Sequence, residues 1–220
     1  MIIMGCDPGD PSGVALFFFK GSDIKRDIPR WPDATFLGAT TISKPSSVHR
    51  THAELDIYHR ERLAHALGSD ASDREMWHQY PNKTGPWNAD YVALEEPLDG
   101  AQWYSGQGQG KRRQQRDTAF RLGVHYANLL HATAEVAKFA RFVSFPAKTI
   151  RSRRGWMGNS SRGTIMMAAE LTLKATAPAH EIDPLRNLKD GQLPEHILMA
   201  VGVVNHCVEY FTDYFPRSPR

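Results

Sequence analysis

Residues 2–6 read IIMGC, the run stops at Asp7, and PGDPSG then turns the chain into a second apolar run from Val14 to Phe19. Turn residues packed between two short apolar runs predict a β-hairpin whose first strand ends in a carboxylate. The first run is almost wholly apolar, so its strand belongs in the middle of a sheet. A chain of 220 residues with 41% hydrophobic residues is long enough to build the core that such a sheet needs.

The rest of the chain supplies the cover. Ala34 to Ile42 is predicted as a third strand, and Val48 to Leu67 as an exposed amphipathic helix carrying Leu55, Tyr58, Leu63 and Leu67. Gly68 to Asn88 reads as a long loop with aromatic residues. Tyr91 to Leu94 is a compact strand closed by Glu95, Glu96 and Pro97. Ala119, Leu122, Tyr126, Leu129, Leu130, Thr133 and Ala137 recur at three and four, which predicts a long helix within Arg113 to Lys138. Arg141 to Phe145 is a further strand, followed by a basic loop and a helix from Ser161 to Lys174 capped by Asn159 or Ser160. Pro194 suits the first turn of a last helix whose buried stripe is Ile197, Leu198, Val201, Val204, Val208 and Phe211. The tail 215–220 is expected to be disordered. Three strands and then alternating helices and strands predict one α/β domain over 1–220, with a mixed five-stranded sheet flanked by helices and an insertion at about 43–88.

Lysine and arginine number 27 against 24 acids, so a net charge of +3 does not by itself argue for nucleic acid. Their distribution says more. Lys111, Arg112, Arg113 and Arg116 form one basic cluster, and Lys148, Arg151, Arg153 and Arg154 another. The longest apolar run is too short to cross a bilayer and the N-terminus lacks a signal-peptide pattern, so a cytoplasmic protein with no membrane partner is expected. Cys6 and Cys207 sit in apolar surroundings and read as buried thiols.

Asp7 and Glu95 each end a short apolar strand. On neighbouring strands about 4.8 Å apart their carboxylates project from one edge, and two like charges there call for a cation. A hard divalent ion with oxygen ligands meets that need, and Mg²⁺ completes its shell with water and phosphate oxygens. Further ligands are expected from the start of the last helix: Glu195 in its first turn, His196 beside it and Asp190 just before. Two ions about 4 Å apart are the usual arrangement in phosphodiester hydrolysis.

In these motifs the chain resembles the RuvC-type Holliday junction resolvases of the RNase H-like nuclease superfamily. IIMGCDPGDPSGVALF is similar to the family's first hairpin, ADYVALEEPL to its second acidic motif, and TAFRLGVHYANLL to the helix after it. FPAKTIRSRRGWMGNSSRG is similar to its basic segment, with Lys148 and Arg162 at the basic positions, and DGQLPEHILMAVGVV to its last acidic helix. The resemblance implies an RNase H-like fold, with the first three strands antiparallel and the next parallel. It implies a crossover junction endodeoxyribonuclease in which Asp7, Glu95, Glu195, His196 and Lys148 are catalytic. Asp7, Glu95, Glu195 and Asp190 would hold Mg²⁺, for which Mn²⁺ substitutes. The expected partner is branched DNA, above all four-way junctions, contacted by Trp103, Tyr104, the cluster from Lys111 to Arg116, Lys148, Arg151, Arg153, Arg154 and Arg162. A homodimer follows from the near two-fold symmetry of a junction, with the helix Arg113 to Lys138 as an interface element. Two departures stand out: Glu195 replaces the final aspartate, and Gln192 the acid one turn earlier.

Other readings compete. The altered last motif suits a branched-DNA-binding protein of the same fold without catalysis. An actin-like phosphotransferase also opens on an aspartate-glycine hairpin, but the second glycine-rich phosphate motif it needs is missing. GQGQGKR departs from a phosphate-cradling loop at Arg112, where a serine or threonine is required. His49 with His52, and His206 with Cys207, do not complete a zinc pattern.

Overall fold

The computed structural model describes residues 1–20, 34–43, 52–70, 77, 84–96, 109–151, 162–187 and 190–214, without the side chains at 52, 109–117, 148, 151, 162 and 212–214. Five strands are described: β1 (Ile2–Asp7), β2 (Ser12–Phe19), β3 (Ala34–Ile42), β4 (Tyr91–Glu96) and β5 (Arg141–Pro146). Helices are α1 (His52–Ala66), α2 (Gln109–Val136), α3 (Ala147–Arg151), α4 (Arg162–Thr176), α5 (Ala179–Ile182) and α6 (Glu195–Tyr214).

The strands form one sheet in the order β3-β2-β1-β4-β5. β1 pairs antiparallel with β2 and β2 antiparallel with β3, whereas β1 with β4 and β4 with β5 are parallel. The apolar runs at Ile2–Cys6 and Tyr91–Leu94 thus occupy the sheet centre, as their lack of charge demands. Side chains alternate between two cores. On one face Ile3, Ala15, Phe17, Phe36, Tyr91, Ala93 and Phe145 meet α4 and α6; on the other Met4, Cys6, Leu16, Val92 and Leu94 meet α1 and α2.

α6 is buried nearly all round from Ile197 to Val208, because it lies between the sheet and α4. Its close approach depends on residues without side chains. A Cβ on Gly5 would collide with the Ala200 carbonyl, and one on Gly13 with the His196 carbonyl. On the far side, a Cβ on Gly202 would lie 2.7 Å from Ile165 Cγ2.

Several local expectations are corrected. The buried seam of α1 is Leu55, His59, Leu63 and Leu67, at steps of four, so His59 takes the place expected for Tyr58, which is exposed. α2 starts at Gln109, four residues before Arg113, since the run Lys111 to Arg116 is made of good helix formers. The basic loop after β5 begins as the single-turn helix α3. Within the expected loop from Gly68 to Asn88, Trp77 is buried and donates its Nε1–H to Ala66 O at 2.9 Å, and Pro86–Asn88 form a 3₁₀ turn. The caps at Asn159 and Ser160 and the tail 215–220 lie outside the described residues.

Candidate active site

Parallel register places Ile3 beside Tyr91, Gly5 beside Ala93 and Cys6 beside Leu94, and Asp7 and Glu95 are the next residues along these two neighbouring strands. Odd-numbered residues of both strands face α6, so the two carboxylates share that face at the carboxyl edge of the sheet. Asp7 is 7% exposed and Glu95 9%, and Glu95 Oε2 is sequestered from solvent. Two buried carboxylates at the ends of neighbouring strands repel unless positive charge or a proton joins them. Glu96, next along β4, points to the opposite face, as strand alternation requires.

The first turn of α6 delivers His196 to Asp7. Its Nδ1–H donates to Asp7 Oδ2 at 2.7 Å, and the imidazole is half-buried. The β1–β2 turn is its seat: a Cβ on Gly9 would lie 3.0 Å from His196 Cε1, and Gly13 admits the His196 backbone. Ser12 Oγ donates to Gly9 O at 2.9 Å and braces that turn. The turn residues PGDPSG therefore do two jobs, reversing the chain and making room for a histidine that arrives 189 residues later. Sequence reasoning gave Gly9 and Gly13 only the first role. Their placement just after Asp7 was the available signal for the second.

Glu195 and Asp190 are placed differently. Glu195 is exposed and lines a cavity on the α4 side of α6, together with Glu170 and Gln192. Asp190 is exposed, and its Oδ1 accepts the Gln192 backbone N–H at 2.9 Å in the turn before α6. Among the described residues no group of three or more histidine, cysteine, aspartate or glutamate side chains is disposed to hold a metal ion. What the structure brings into contact is His196 with Asp7, while Asp7 and Glu95 stand at the ends of neighbouring strands. Adjacent buried carboxylates fit Mg²⁺, which takes one or two carboxylates and fills its remaining positions with water and substrate phosphates.

Behind the carboxylates, Cys6 points into the other core. Burial, and secondarily the Asp7 charge, push its thiol far above the ordinary range, and burial does the same to Cys207. Both are inert structural thiols.

Of the basic residues, Lys111, Arg112, Arg113 and Arg116 fall in the first two turns of α2. Lys148 and Arg151 fall on α3, which follows directly on Pro146, the register partner of Glu96. Arg162 opens α4. Trp103, Tyr104, Arg153 and Arg154 lie outside the described residues. Among the described residues no helix is long and apolar enough to cross a membrane.

No protein-family model and no curated protein sequence matches this chain. A solved structure does: RuvC from Thermus thermophilus, at a TM-score of 0.54 and 14% identity, covers 98% of this chain and 96% of its own. The chain thus shares the RuvC-like, RNase H-like α/β fold, a mixed five-stranded sheet flanked by helices.

Proposed function

We propose that this protein is a metal-dependent endonuclease that cuts branched DNA, with the four-way junction as its substrate. The observation that carries the reading is the juxtaposition of buried Asp7 and Glu95 on the α6 face, with His196 held against Asp7. These carboxylates would hold Mg²⁺, with Mn²⁺ as a substitute. Bound there, the metal would polarise a phosphoryl oxygen and lower the pKa of an attacking water.

The chain's own residues do the rest. Asp7 fixes the tautomer of His196 with the proton on Nδ1, leaving Nε2 as the acceptor able to take a proton or to bind metal at that edge. Glu195 and Asp190, at and just before the start of α6, are the further metal ligands the family resemblance implies, and as ligands they would need to turn toward Asp7. Lys148 would meet the scissile phosphate, and the basic first turns of α2, with Trp103, Tyr104, Arg151, Arg153, Arg154 and Arg162, would track the DNA backbone and exposed bases. Symmetric paired nicks require two such sites, hence a homodimer.

The direct test is incubation with a labelled synthetic junction, a linear duplex and a flap. Mg²⁺-dependent nicks near the branch point of the junction, and little cutting of the linear duplex, are expected. A second reading, a junction-binding protein without catalysis, draws on the finding that among the described residues no third acidic or histidine ligand joins to form a metal-holding group. It predicts metal-independent junction binding and no nick at any Mg²⁺ or Mn²⁺ concentration.

A further inference from the structure

Two divalent ions about 4 Å apart, the usual arrangement in phosphodiester hydrolysis, need enough negative charge to hold them and a carboxylate to bridge them. Charge comes first. Asp7 and Glu95 carry two negative charges between them, which one divalent cation balances; a second would bring two more positive charges to a place where both side chains are buried. Among the described residues, the acids flanking the site do not supply the difference. Glu195 is exposed on the α4 side of α6, and Asp190 is exposed with its Oδ1 on the Gln192 backbone N–H at 2.9 Å. Glu96 points to the opposite sheet face. Asp10, exposed in the turn after β1, joins no metal-holding group with Asp7 and His196.

The bridge is missing as well. Two cations that close repel, and a carboxylate that offsets the repulsion gives one oxygen to each. Asp7 has one of its two oxygens committed: Oδ2 accepts from His196 Nδ1–H at 2.7 Å. The imidazole has a built seat there. A Cβ on Gly9 would lie 3.0 Å from His196 Cε1, and one on Gly13 would collide with the His196 carbonyl. The place from which the last helix could present an acid to Asp7 is therefore filled by a ring that brings no negative charge. Neighbours on a helix differ by about 100°, so the turn that delivers His196 to Asp7 carries Glu195 away from it.

We propose that the site takes a single divalent cation per chain, on Asp7 and Glu95, and that His196 stands where a ligand of a second ion would have to stand. The proposal rests on the metal-dependent reading above. It leaves Asp7 its Oδ1 for the cation, and it assigns Glu195 and Asp190 no place in the ligand shell.

The test counts ions on the full chain by equilibrium dialysis against Mn²⁺, with Asp7→Asn run in parallel to subtract ions bound elsewhere. One saturable ion per wild-type chain, lost in Asp7→Asn, is expected. Glu195→Gln should keep that count and move the dissociation constant by less than about twofold, where loss of a true ligand costs about tenfold or more. His196→Asp puts a third carboxylate against Asp7 and should raise the count to two. Two ions per wild-type chain overturn the proposal, as does a tenfold loss in Glu195→Gln or a folded His196→Asp chain that still holds one. One ion without any nicking leaves the proposal standing and counts against the nuclease reading instead. A folded wild type with no saturable ion overturns both.

Discussion

Asp7 and Glu95 are costly residues for a fold to keep. Each is buried at the end of one of two neighbouring strands, and a carboxylate buried there without a cation destabilises the protein that carries it. Glu95→Gln is therefore expected to raise the metal-free melting temperature by about 2–4 °C, the equivalent of about 1 kcal/mol in a chain of this size, while nicking falls at least about 100-fold. Calorimetry in EDTA beside the junction assay checks both halves. His196→Ala should cost about 100-fold in nicking if the imidazole moves a proton, with junction binding unchanged in a gel-shift assay. Both carboxylates were legible in the sequence because each stands where an apolar strand stops. His196 was harder to single out from Glu195, since neighbours on a helix differ by about 100° and only the packed helix fixes which one faces the sheet.

The two thiols add a pH signature at the same scale. Burial keeps Cys6 and Cys207 protonated in the folded state, whereas in the unfolded chain thiols ionise near pH 8.5. Above that pH the folded state binds more protons than the unfolded one, so stability falls as pH rises and is fully present below it. Urea melts at pH 7 and pH 10 should show the loss, and the Cys6→Ala, Cys207→Ala double variant should reduce it.

Among elements, α6 governs the site, because its seating on β1 and β2 sets where His196 lies. Gly5→Ala and Gly13→Ala each force a Cβ into the backbone of α6 and are expected to destabilise by about 1–3 kcal/mol or more. Gly13→Ala should in addition impair nicking, as it meets the His196 backbone itself. Gly123 on α2 is the contrast: a Cβ there meets nothing within 4 Å, so Gly123→Ala should stabilise by up to about 1 kcal/mol. Denaturant unfolding of the three variants separates these outcomes. Element types and their order were readable from periodicity. Which residues of a helix are buried was less so: Tyr58 and His59 fit the α1 pattern almost equally until α2 packs against it, bringing the His59 and His125 rings to 5.3 Å. The start of α2 was missed because Gly108 and Gly110 read as breakers, although the basic run beyond them favours helix.

At the scale of the molecule, the topology follows from a hairpin start and the strand-helix alternation after it, and 14% identity to a protein of the same fold shows how little of that depends on particular side chains. The cavity beside α6 had no trace in the sequence, since α4 and the loop before α6 meet only in the folded chain. Nuclease chemistry at this site requires Asp7 and Glu95 jointly to bind a divalent cation. Mn²⁺ binding followed by electron paramagnetic resonance tests this without any substrate. Saturable binding by the wild type, weakened at least about tenfold in both Asp7→Asn and Glu95→Gln, is the predicted result. Equal binding by the wild type and both variants, or no saturable binding by a folded wild type, would contradict it.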